Sequence, residues 1–246
     1  MLDPVRKALL VATLVATTMV SGCATAPPAD DPDAVADFKA NNDPLEPTNR
    51  VIYAINDGVD TVILRPIALV YRSVVPEPVK RSIGNALDNL ASPVVLANDV
   101  LQGKPQRATD TLVRFVINTT IGVGGLFDPA EGLGWKHHDN DFGTTLALWG
   151  ASPGPYLYLP LFGPSNPRDA IGAGGNMALN PLTWIGGAAL SDAKWARTSL
   201  SAVDTRAGLI DPLDKLKAQS LDPYATIRSA SRQFRAKTIS DAAAAQ

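Results

Sequence analysis

The sequence predicts an all-α fold, a cluster of short amphipathic helices broken by Pro and Gly turns, and three observations support the class. Proline recurs where a helix can begin, at Pro44, Pro47, Pro66, Pro78, Pro93 and Pro105, because a first-turn residue has no intrahelical use for the N–H that proline lacks. Apolar residues recur at helical spacing, clearest at Val79, Ile83, Ala86, Leu87 and Leu90, which draws a one-sided stripe. No window alternates polar and apolar residues long enough to argue for a sheet, and there is no β-α-β rhythm or internal repeat.

Taken in order, residues 1–22 have the parts of an export signal. Arg6 and Lys7 make a positive start, an apolar run follows from Ala8 to Val20, and small residues precede Cys23. The run is broken by Thr13, Thr17 and Thr18, whereas a bilayer span needs roughly 20 apolar residues. Val20-Ser-Gly-Cys23 is similar to the bacterial lipobox, which implies cleavage before Cys23 and acylation of its sulfur, palmitate included; Ala24 behind it, in place of Asp, implies delivery to the outer membrane. Cys23 is the only cysteine, so no internal disulfide framework exists. Residues 23–42, rich in Pro, Ala and Asp, predict a lipidated flexible tether. Residues 43–239 predict one helical domain and residues 240–246 a disordered tail. Losing the signal removes Asp3, Arg6 and Lys7 and moves the formal charge from −2 to −3. Nothing in that balance suggests a nucleic-acid partner.

Within the domain, Leu112, Val113, Phe115, Val116 and Ile117 go nearly all round the segment 108–121, which predicts a helix that is buried or faces lipid. Gly122, Gly124 and Gly125 predict a tight helix-ending turn, with Asp128-Pro129 opening the next element. From Phe142 to Ser191, Arg168 and Asp169 are the only ionised side chains in 50 residues, where about nine would be expected at the chain's overall 19%. Gly143, Gly150, Pro153, Gly154, Pro155, Pro160, Gly163 and Pro164 break the first uncharged run, and Gly174, Gly175, Asn176, Asn180 and Pro181 break the second, so neither can cross a bilayer as a plain helix. Broken backbone at membrane depth needs protein or a wet cavity around it. The expectation is a cluster of short helices in lipid, surrounding a polar passage.

Gly150, Ser152, Pro153, Gly154 and Pro155, flanked by Trp149 and Tyr156, are the candidate hinge or channel-gating loop. Arg168 and Asp169 read as a structural pair, capped by Ser165-Asn166-Pro167. Arg228, Arg232 and Arg235 fall on one helical face with no acid between Asp222 and Asp241, a stripe suited to anionic headgroups or an acidic carrier surface. Gly150-Ala-Ser152-Pro-Gly154 spells a hydrolase nucleophile elbow, but Pro153 has no N–H for the oxyanion hole and the only histidines, His137 and His138, precede the serine. Those histidines with Asp139 and Asp141 suit no metal, since adjacent histidines diverge. The partial G-x-G pattern at Gly122 lacks a third glycine and a preceding strand.

Asp43-Pro-Leu-Glu-Pro-Thr-Asn-Arg50 with Tyr53 and Asn56, Arg65-Pro66, Asn89 to Asn98, Leu101-Gln-Gly103, Arg114 to Gly122, Gly124-Gly-Leu-Phe-Asp128, Asp141-Phe-Gly-Thr-Thr-Leu146, Gly154-Pro-Tyr156, Leu159-Pro160, Arg168-Asp169 and Asp222-Pro-Tyr224 form a specific combination. Over roughly residues 43–235 it resembles the MlaA (VacJ) family of outer-membrane lipoproteins. The resemblance implies a ring-shaped helical protein in the periplasmic leaflet of the outer membrane, with a central amphipathic channel and a porin trimer beside it. It further implies that phospholipids strayed into the outer leaflet pass through the channel to a soluble, MlaC-like periplasmic carrier. No cofactor and no covalent step belong to that task, so the chain is read as no enzyme. A porin scaffold without transport is the alternative, and a phospholipid hydrolase a more distant one. Lys194, followed by Trp195, matches a family lysine and is the candidate lure for the lipid phosphate. Asn140-Asp141 replaces an acidic pair, and Ser152 and Pro153 stand where glycines are frequent, which puts the loop's stiffness in question.

Overall fold

The computed structural model describes residues 27–28, 30–185 and 188–245. The signal segment and Cys23 lie outside the described residues. Helix α1 runs Pro32–Asn41, α2 Glu46–Val59 and on through a π turn, Asp60–Leu64, into α3, Arg65–Val74. Then come α4 Glu77–Leu101, α5 Pro105–Thr120, α6 Pro129–Gly132 and α7 Phe142–Leu148. A hairpin of β1 Leu157–Leu159 and β2 Gly163–Ser165 precedes α8 Pro167–Leu179, α9 Pro181–Trp184, α10 Ala188–Gly208, α11 Ile210–Ala218 and α12 Pro223–Ala244.

Proline opens these helices as expected: Pro47, Pro66, Pro78 and Pro105 each sit in the first two positions. Side-chain caps answer the remaining free N–H groups. Asp128 accepts from Glu131 N at 3.1 Å, Asp141 from Thr144 N at 2.9 Å and Asn166 from Asp169 N at 3.0 Å. Pro93 is the exception, because α4 runs straight through it for 25 residues. Its lost bond, to Asn89 O, is tolerated where Asn89 before it and Val95, Asn98 and Asp99 beyond it are buried; packing outweighs the break.

Two terminal expectations differ from what is found. Part of the tether, Pro32–Asn41, is helical, and Arg232 Nη1 donates to the carbonyls of Ala40 and Asn41 at 2.7 and 2.6 Å, which ties its end to α12. The tail expected to fray from Ser240 continues as helix to Ala244. Ala242 is buried, and Lys104 Nζ donates to the carbonyls of Ala243 and Ala245. Alanine-rich composition favours helix once such a partner exists.

The hairpin is too short to leave an alternating signal. It pairs Leu157 with Ser165 and Leu159 with Gly163, and α2 holds it through amides: Tyr158 N donates to Asn49 Oδ1 and Leu161 N to Asn56 Oδ1, both at 2.9 Å. Helices α7 and α8 cross at glycines; a Cβ on Gly172 would lie 2.5 Å from Gly143 N.

The interior is inverted. Among the described residues, buried polar and charged groups outnumber buried hydrophobics. Helix α5 shows it best: Thr111, Arg114 and Asn118 are buried, while Leu112 and Val116 are 48% and 51% exposed. Val62, Ile63, Ile67, Val70 and Val74 likewise face outward along the π turn and α3. What is apolar inside is small: Tyr156, Tyr158 and Tyr224 around Tyr53, and Ala68 with Ala207 and Ile210. No helix among the described residues is long and apolar enough to cross a membrane.

Candidate functional site

An amphipathic cavity of about 850 Å³ opens between α2 with its π turn, α4, the hairpin, α10, α11 and α12. Its polar surface comes from residues that the fold gathers from far apart. Asp57 and Asp60 project from α2 and the π turn, an irregularity that frequently marks functional positions. Arg206 on α10 meets Asp60 with Nε at 2.6 Å and Nη2 at 2.9 Å, and Lys217 on α11 meets Asp57. Arg197, Ser201 and Thr205 extend the polar surface along α10. Leu64, Leu87, Phe162, Leu213 and Ile227 make the rest of the lining apolar. Burial pushes the Tyr158 hydroxyl up to about 12, so this cavity-lining phenol stays neutral. The arrangement can accept a molecule with one charged or polar end and a large apolar part.

A second cavity of about 400 Å³ shares Pro164 with the first and is bordered by Asn42, Pro153, Gly154, Arg168 and Arg235. Beside it lies an ionic clamp. Arg235 Nη1 reaches Asp141 at 2.6 Å, its Nε and Nη2 reach Asp169 at 2.9 Å, and Arg168 Nε donates to Asp169 at 3.0 Å. Burial, the largest single effect, raises the pKa of Asp141 and Asp169, but the hydrogen bonds and charge of Arg235 together with the bonds from Thr144 to Asp141 and from Arg168 and Asn166 to Asp169 outweigh it and hold both carboxyls below the ordinary carboxylate range.

The sequence-predicted residues fall in different places. Gly150 and Gly154 adopt left-handed backbone, with φ of 92° and 73°, as their loop requires. That loop is stitched down: Asn42 Nδ2 donates to Gly154 O, and Tyr156 N to Asn42 O, each at 2.8 Å. Pro153 and Gly154 border the smaller cavity, not the larger. Ser152 Oγ lies 3.5 Å from Gly154 N, whereas His137 sits on Asp139 at 3.2 Å and His138 on Asp99 at 3.0 Å, so neither histidine is brought to the serine. Lys194 Nζ donates to Ile185 O at 2.8 Å and lies outside both linings. Arg168 and Asp169 do pair, with Asn166 as cap.

The stripe of Arg228, Arg232 and Arg235 is corrected. Arg228 is buried against Asp43 at 2.7 Å and Glu46 at 3.1 Å, Arg235 closes the clamp, and Arg232 binds the end of α1. The acids that answer Arg228 and Arg235 lie outside α12, so local charge patterning pointed outward while the partners lay 66 to 185 residues away in sequence. Sequence reasoning also missed Asp57, Asp60, Arg197, Arg206 and Lys217; only the spacing of Asp57 and Asp60 on one helix hinted at them.

The sequence profile of a family described as MlaA lipoprotein matches residues 41–238. The intermembrane phospholipid transport system lipoprotein MlaA of Escherichia coli K12 is 37% identical over 234 residues, covering 91% of this chain and 86% of that protein. Its namesake in Haemophilus influenzae is 34% identical over 231 residues, covering 91% and 87%. An uncharacterized Rickettsia bellii protein is 37% identical over 198 residues, covering 80% and 76%. A solved structure described as the structural basis for maintenance of bacterial outer membrane lipid asymmetry superposes with a TM-score of 0.68 at 35% identity, covering 80% of this chain and 98% of that one.

Proposed function

The chain belongs to the MlaA lipoprotein family, and from that premise we propose that its larger cavity is the passage through which it removes phospholipids from the outer leaflet of the outer membrane. It is a membrane-associated lipoprotein of phospholipid transport. Cys23 carries the acyl anchor, the body lies in the periplasmic leaflet, a porin stands beside it, and a soluble periplasmic carrier receives the lipid. The observation that carries this reading is the inverted interior around an amphipathic cavity. Each large aliphatic side chain moved from water into hydrocarbon contributes about 1.5–3 kcal/mol, so the outward residues of α3 and α5 favour a lipid setting. A phospholipid headgroup dragged bare through hydrocarbon costs several kcal/mol or more. The charged and hydroxyl groups of the cavity lower that barrier, while acyl chains lie against its apolar residues. The lipid moves unchanged, so no nucleophile is required of Ser152.

The test fills the passage without disturbing the fold. Ala202 lines the cavity and is exposed, and Ala202→Trp places an indole in that space. Cells relying on this variant accumulate outer-leaflet phospholipid as a deletion strain does, with the protein's melting temperature retained. A deletion that leaves outer-leaflet phospholipid unchanged contradicts transport and supports a porin scaffold. Cys23→Ala and Lys194→Glu, assayed in the same cells, separate the anchor from capture of the headgroup.

A further inference from the structure

Two arginines in the wall of the larger cavity, Arg197 and Arg206, keep hydrogen-bonding capacity that the protein does not use. Building on the reading of that cavity as a phospholipid passage, we propose that α10 forms a track for the lipid phosphate, with Arg197 and Arg206 Nη1 as its two stations. Arg206 is 6% exposed, and Asp60 engages its Nε and Nη2. Its Nη1 is buried with no partner. A buried guanidinium donor without an acceptor is costly enough that native proteins rarely keep one idle. Arg197 lines the same cavity and has no hydrogen bond or ion pair among the described residues. The third cavity cation, Lys217, is taken by Asp57.

Nine helical positions separate the two arginines, about 14 Å at the α-helical rise. Ser201 and Thr205 line the cavity between them and supply hydroxyl donors, while Thr198 donates its own to Lys194 O. A phosphodiester presents two non-bridging oxygens, which suit the planar guanidinium fork. A lipid passed from one arginine to the other therefore advances along the helix with its phosphate always met by donors. Free phosphate would satisfy the same donors but leave Leu64, Leu87, Phe162 and Ile227 bare. The mixed lining fits a phosphate that carries acyl chains. Asp57 and Asp60 do not compete, since each is already paired. Asp88, the remaining carboxylate of the lining, also borders the recess that holds His137.

The experiment loads the full-length protein from vesicles of phosphatidylethanolamine and phosphatidylglycerol, washes it in detergent, and counts bound phospholipid by mass spectrometry. Arg197→Gln and Arg206→Lys each retain about tenfold less lipid than the parent, the loss expected for one charged hydrogen-bonding station. The lysine keeps a charge for Asp60 while removing Nη1. Arg197→Lys recovers most of the binding. Millimolar inorganic phosphate or glycerol 3-phosphate does not displace the lipid; displacement would assign the site to free phosphate and overturn the track. Parental retention by both variants also overturns it, and leaves the passage reading standing. No phospholipid on the parent protein overturns the passage reading itself. If Arg206→Lys lowers the melting temperature, Arg197→Gln decides alone, because Arg197 holds nothing in the fold.

Discussion

Two cavities lie side by side in this protein, and their arginines are used in opposite ways. At the smaller one Arg235 grips Asp141 and Asp169, and Arg168 shares Asp169, so the guanidinium groups are answered by the chain's own carboxylates. At the larger one Arg197 is bare and Arg206 is engaged on one side only. The difference teaches how to separate fold from function in a chain whose charges are buried. Ion pairs closed between distant segments, such as α12 with α7 and α8, hold the architecture together. Cations left open on a cavity wall are available to a visitor.

The sharpest way to break the comparison is to remove one arginine from each side. Arg235→Ala leaves Asp141 without its counter-ion and Asp169 with Arg168 alone, and by the usual cost of orphaning buried charge it lowers stability by about 3–5 kcal/mol, read as a fall in the urea midpoint. Arg197→Ala changes that midpoint by no more than about 0.5 kcal/mol. Equal losses would erase the distinction. Acidification probes the same clamp: because Asp141 and Asp169 titrate lower when folded than when unfolded, their contribution is complete above the ordinary carboxylate pKa near about 4 and disappears as pH falls through the lower folded values. Urea midpoints measured from pH 7 downward stay level and then drop, and in Arg235→Ala this drop is smaller, since only the pairing of Asp169 with Arg168 remains to sustain it. A smaller effect comes from packing. A Cβ on Gly175 would lie 2.3 Å from the Phe142 ring, so Gly175→Ala costs about 1–3 kcal/mol where α7 meets α8. The least effect is expected at Gly132, where a Cβ meets nothing within 4 Å; Gly132→Ala leaves the melting temperature within a degree or two, a control for helix-glycine replacement in general.

Much of the helical architecture was legible because its signals are local. Proline at first-turn positions, the caps at Asp128 and Asn166, and the glycine turn after α5 act over four residues or fewer, and each appears where the sequence puts it. Pro93 misled because packing on both sides of it outweighs one missing hydrogen bond. The motif residues Asp43, Asn49 and Tyr224 were legible as a pattern but not as an object: Asp43 accepts from Asn49 at 2.8 Å and from Tyr224 at 2.5 Å, a network closed across 181 positions. The site was hidden for the same reason. Helix α5 had to be buried or lipid-facing by composition, and only the fold reveals that its polar residues point in. Asp60 and Arg206 are 146 positions apart, so no window contains both. The arginine stripe of α12 drew attention because it was local, and it belongs to the fold.

The central claim, that lipid occupies the larger cavity and not the smaller, is tested most directly by photo-crosslinking in living cells. A photoreactive amino acid is placed at Thr205, which lines the larger cavity, or at Ser231, which lines the smaller. After illumination the purified protein is weighed intact. Phospholipid adducts at Thr205 with none at Ser231 are the result this account predicts. Adducts at Ser231 alone, or at neither position, would contradict it.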